Sequence, residues 1–117
     1  MIVEDEPDLV QIYKTLLPKD WTIDFFDNAR DASAHYTAKS DYDLVITDIQ
    51  MAHKSGEGLI YDIDYINPSQ KIIVVSGHIS ELNLEGLRSS ANVKVFQKPW
   101  DIRNVSDVLN NWHTDKT

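Results

Sequence analysis

A few side chains in this sequence would form a reactive site if folding gathered them. They are the acidic run Glu4-Asp5-Glu6, the carboxylate of Asp48, the hydroxyl of Ser76 and the ammonium of Lys98. Carboxylates at close quarters repel. Two of them 4–5 Å apart at an effective dielectric near 20 are raised by roughly 3–4 kcal/mol. A cleft holding three must therefore protonate one or take up a cation. Oxygen donors with room left for waters and a phosphate suit Mg²⁺, with Mn²⁺ as the second choice. Taken singly, each group has an ordinary explanation. The acidic run complements the amino end of a helix, Asp48 is a loop acid, Ser76-Gly77 is a turn, and Lys98 is a solvated charge. Only a common location favours chemistry over these readings.

The elements that must position them alternate between strand and helix. Ile2-Val3 is the stub of a strand. Pro7 to Leu17 reads as a helix, with Leu9, Ile12, Tyr13, Leu16 and Leu17 on one side and Pro7 in the first turn. Trp21 to Phe26 reads as a strand, and Asp27 or Asn28 can cap a helix reaching about Ala38. Leu44 to Thr47 and Ile72 to Val75 have the apolar character of strands covered on both faces. A helix from Glu57 to Ile66 ends at Asn67-Pro68. A weak helix is expected over Leu82 to Ser90 and a strand over Val93 to Gln97. Ile102, Val105, Val108, Leu109 and Trp112 mark a final amphipathic helix.

Such alternation implies an α/β fold: a doubly wound five-stranded parallel sheet with helices on both faces and the flavodoxin-like order 2-1-3-4-5. Ligands in that architecture bind beyond the carboxyl ends of the strands. Glu4-Asp5 follow the first strand, Asp48 the third, Ser76 the fourth and Lys98 the fifth. The fold therefore brings them to one rim.

With 117 residues, no repeat and no linker, residues 1–117 read as one domain. The formal charge of −8 disfavours contact with nucleic acid or an anionic membrane and favours a cation or a basic protein patch. There is no Cys, no apolar run of membrane-spanning length and no basic-then-apolar leader. A cytoplasmic location is the expectation.

Val3-Glu4-Asp5-Glu6-Pro7, Asp43-Leu44-Val45-Ile46-Thr47-Asp48-Ile49-Gln50-Met51, Val74-Val75-Ser76-Gly77 and Lys98-Pro99-Trp100, with Gly56 between, resemble the motifs of bacterial response-regulator receiver domains (the CheY-like family) in order and spacing. The resemblance covers nearly the whole chain. It implies a two-component phosphoprotein that takes a phosphoryl group onto Asp48 from a sensor histidine kinase or phosphotransfer protein. Mg²⁺ would be held by Asp5, Asp48, the Gln50 carbonyl and, through water, Glu4. Lys98 and Ser76 would act on the phosphoryl oxygens, Gly77 would leave the approach open, and Lys98-Pro99 would be a cis bond. Such a domain is no enzyme toward other molecules; it phosphorylates itself from a donor and dephosphorylates itself. Its output would pass through the face formed by the 82–90 helix, the 93–97 strand and the final helix, to an effector domain or protein or to a second copy in a homodimer.

The chain departs from the family pattern at four places. Ala52 replaces a Pro, Val95 replaces an aromatic switch residue, Gln50 and His78 occupy variable positions that tune phosphoryl loss, and the first strand is short, as if incomplete. Strand parity predicts that Phe96 packs as a buried residue under the first and last helices while Val95 faces the other way. A bulge that slides Phe96 into the switch position is the alternative. None of the four His is the phosphodonor: His35 is expected as half-buried packing, His53 in a loop, His113 in a tail. Asp62 and Asp64 are expected as surface charge. Three other functions compete. A receiver-like interaction module that is never phosphorylated would be expected to lack one of the acids or the Lys. A flavodoxin needs a phosphate loop where Glu4-Asp5-Glu6-Pro7 stands. An Asp-nucleophile phosphatase needs a second Asp where Gln50 stands.

Overall fold

The computed structural model describes residues 1–49, 56–77 and 92–112, without the side chains of residues 56 and 57. Five parallel strands form one sheet: β1 (Ile2–Val3), β2 (Phe25–Phe26), β3 (Val45–Asp48), β4 (Ile72–Ser76) and β5 (Val93–Gln97), in the order β2-β1-β3-β4-β5. Helices α1 (Pro7–Leu16), α2 (Ala29–Ala38) and α3 (Gly56–Ile66) connect them, and a 3-10 turn (Ile102–Asn104) leads into α4 (Val105–Asn110). This is the expected fold and strand order. The predicted 82–90 helix lies outside the described residues.

Alternation along each strand sorts the core into two layers. Val3, Val45, Ile49, Ile72 and Val74 pack beneath α2 and α3 with Ala32, Tyr36, Leu59 and Ile63. Ile2, Ile46, Ile73 and Val75 pack beneath α1 and α4 with Tyr13, Leu17, Ile102 and Val105. Each such aliphatic side chain contributes roughly 1.5–3 kcal/mol by leaving water. Val95 joins the first layer and Phe96 the second, as parity predicts. Phe96 is half-buried rather than fully covered.

Of the two candidate caps of α2, Asn28 serves, its side chain accepting from the Asp31 amide at 2.7 Å. Three expectations change. The strand expected over Trp21 to Phe26 shrinks to two residues, because β2 pairs only with β1 (Ile2↔Phe25, Val3↔Phe26) and β1 offers no more. The apolar side of α1 is wider than the sheet can cover: Tyr13 and Leu17 are buried while Ile12 and Leu16 are each 41% exposed. Asp62 is not free surface charge; it is half-buried and accepts a 2.6 Å hydrogen bond from Ser33 of α2.

Candidate functional site

Parallel pairing in register brings the carboxyl ends of the strands together. Asp48 ends β3 opposite Val75, and Ser76 ends β4 opposite Gln97. The Lys98 amide then donates to the Ser76 carbonyl at 2.7 Å, which carries the β5 register one residue past the strand. On the other side, the Glu4 amide donates to the Phe26 carbonyl at 2.9 Å and fixes the start of the acidic run.

Asp48 and Glu4 are buried, at 5% and 2% exposure. The Lys98 ammonium donates to Asp48 Oδ2 at 2.6 Å and lies 3.8 Å from Glu4 Oε1. Burial alone would lower the Lys98 ammonium. The hydrogen bond to Asp48 and the charges of Glu4 and Asp48 outweigh it and hold the group above its ordinary value. Burial pushes the Glu4 carboxyl up to about 7, against the Glu6 amide and Lys98, which favour its charged form. That amide donates to Glu4 Oε2 at 3.2 Å. Glu4, Asp5 and Glu6 offer oxygens within 4.8 Å of one another. Asp5 and Glu6 face solvent.

Ser76 is fully buried at its strand end. Gly77 is half-buried, and a Cβ built on it would meet no heavy atom of the described residues within 4 Å. The Lys98-Pro99 bond is cis, as the resemblance implied. Gln50, Ala52, His53, His78 and His113 lie outside the described residues. His35 packs as expected, its ring 5.0 Å from that of Phe26 and its Nε2 3.8 Å from Asp24.

The structure thus gathers Glu4, Asp5, Asp48, Ser76 and Lys98 at one end of the sheet. The acidic run stays together, Glu6 included. The structure adds one feature absent from the sequence reading: Trp100 stacks on Phe96 with ring centroids 5.3 Å apart and planes 17° from parallel. A four-residue spacing of aromatics around Lys98-Pro99 was the available signal for it. The donor set fits a hard divalent cation. Burial, with a smaller push from Asp48 and Asp5, holds the Glu4 carboxyl at about 7, and among the described residues Lys98 supplies positive charge beside Glu4 and Asp48.

The response regulator receiver domain family matches residues 1–110, and the chain belongs to that family, the receivers of two-component systems. A response regulator receiver protein of Anaeromyxobacter is 24% identical over 109 residues, covering 92% of this chain and 45% of that protein, so the chain spans under half the length of this curated relative. The receiver domain protein from Clostridium thermocellum superposes with a TM-score of 0.81 at 26% identity, over 94% of this chain and 89% of that one. A CheY-like receiver domain from Methylobacillus flagellatus gives 0.75 at 26% identity, over 93% and 92%. Receiver domains as a family are not enzymes in the ordinary sense. Among the described residues no helix is long and apolar enough to cross a membrane.

Proposed function

We propose that the whole chain is one receiver domain that accepts a phosphoryl group on Asp48 in a Mg²⁺-dependent reaction. The observation that carries this reading is the buried Asp48 carboxylate at the end of β3, held 2.6 Å from Lys98 and flanked by Glu4. A carboxylate oxygen attacks phosphorus, the bond from phosphorus to the donor breaks, and the donor leaves as imidazole from a phosphohistidine or as acetate from acetyl phosphate. Lys98 follows the charge onto the phosphoryl oxygens. The Ser76 hydroxyl, at the neighbouring strand end, donates to the same group. Asp5, Asp48, the Gln50 carbonyl and, through water, Glu4 would hold Mg²⁺, which when bound offsets the charge of the phosphoryl oxygens. Attack of water on phosphorus returns the carboxylate and releases phosphate.

The donor in the cell is a histidine kinase or phosphotransfer protein in the cytoplasm. The output passes to an effector through the face that includes β5 and α4. With Val95 on the α2–α3 side and Phe96 on the α1–α4 side, no aromatic ring of β5 swings between them; Ser76 carries the switch. The test is intact-mass spectrometry after incubation with acetyl phosphate. One added phosphoryl group with Mg²⁺ or Mn²⁺ and none in excess chelator is expected. A chain left unlabelled under all conditions would be an interaction module instead.

A further inference from the structure

We propose that Trp100 is a positioning residue that holds Lys98 on Asp48; this rests on the reading of Asp48 as phosphoacceptor. Lys98 sits midway between Phe96 and Trp100, whose rings stack 5.3 Å apart across the Lys98-Pro99 turn. The stack closes that turn from the α1–α4 side of the sheet, where both rings join the core layer of Tyr13, Leu17 and Ile102. Tyr13, only 3% exposed in the middle of α1, lies in the same core layer as the Trp100 indole. Lys98 is thus fixed from three directions: its own amide on the Ser76 carbonyl at 2.7 Å, Phe96 before it and Trp100 after it.

A lysine side chain has four rotatable bonds and much rotamer entropy to lose. A flexible β5–α4 connection would let the ammonium wander. The stack removes the backbone part of that freedom and leaves the side chain a short reach to the buried carboxylate. Stacked aromatic pairs contribute beyond the burial of their area, which favours one geometry of the turn. In this arrangement Trp100 acts on the chemistry through Lys98.

A double-mutant cycle tests this. The acetyl phosphate labelling rate is measured for wild type, Trp100→Leu, Trp100→Phe, Lys98→Ala and the Lys98→Ala/Trp100→Leu double variant, with thermal melts alongside. Trp100→Leu should slow labelling roughly tenfold, within the hundredfold range that a 1 Å misplacement can cause, and leave the half-saturating Mg²⁺ concentration unchanged. Trp100→Phe, which keeps a ring, should recover most of the rate. In the Lys98→Ala background, Trp100→Leu should have no further effect. Equal fractional losses in both backgrounds, or a wild-type rate for a folded Trp100→Leu protein, would overturn the inference. If Trp100→Leu does not fold, the decision passes to Trp100→Phe: slowing by it that persists without Lys98 overturns the inference, as does a rate lost in full although a ring is kept. Failure of wild type to label at all would strike the phosphoacceptor reading instead.

Discussion

Asp48 and Lys98 stand as an ion pair 2.6 Å apart, with Glu4 sharing the same ammonium at 3.8 Å. Substituting either partner therefore has two consequences, one for chemistry and one for charge balance. Asp48→Asn should abolish labelling, because an amide is a far weaker nucleophile and metal ligand than a carboxylate; intact mass reads it, and labelling to the wild-type extent would refute the nucleophile assignment. Lys98→Ala should keep the fold, as judged by circular dichroism, but slow labelling by roughly 100-fold, the loss typical of a single electrostatic stabiliser of the transition state. It should also melt lower than wild type in chelator, since it leaves the buried Asp48 carboxylate without its ammonium. A Lys98→Ala protein that labels at the wild-type rate would remove Lys98 from the chemistry.

The site is only as good as the elements that aim it, and those differ in how plainly the sequence announces them. β3 and β4 are short apolar runs buried on both faces, so composition alone marks them. Parity along Val93–Gln97 places Val95 and Phe96 on opposite layers, and residue order was enough to foresee it. The place of β2 was legible but its length was not, because that length is set by what β1 offers rather than by its own β-branched and aromatic residues. The half-burial of Asp62 was hidden for a similar reason: spacing within α3 says nothing of Ser33, 29 residues earlier, which donates to it. The helix cap, by contrast, is local. Asn28 accepts from the Asp31 amide at 2.7 Å and its own amide group donates to the Asp31 carboxylate at 2.9 Å. Asn28→Ala should cost about 1 kcal/mol, visible as a lower urea midpoint with an unchanged slope. An unchanged midpoint would mean that packing of α2 against α3 alone holds that end.

For the whole molecule, the buried acid of the site carries a cost in stability. The Glu4 carboxyl rises from 4.5 unfolded to about 7 when folded, chiefly because it is buried. An acid with a raised folded value stabilises in its protonated form, so no cost is present below pH 4.5. Stability then falls as the pH climbs from 4.5 through 7, and the full cost persists above. At 1.36 kcal/mol per tenfold change in proton affinity, that cost is on the order of 3 kcal/mol. Glu4→Gln should flatten this fall in chelator. Under the proposed function Mg²⁺ binds the folded site and not the unfolded chain, so it should stabilise by about 2.7 kcal/mol at a hundredfold excess over its Kd, a gain of about 10 °C in melting temperature for a chain of this size. Because an ionised Glu4 favours the cation, the gain should be larger at pH 8 than at pH 6, and Asp5→Ala should remove it at both. Thermal melts with and without Mg²⁺ at the two pH values read all of this. A melting temperature indifferent to millimolar Mg²⁺, or a gain of the same size at pH 6 and pH 8, would show that the crowded carboxylates are balanced by Lys98 alone and that Glu4 takes no part in holding the ion.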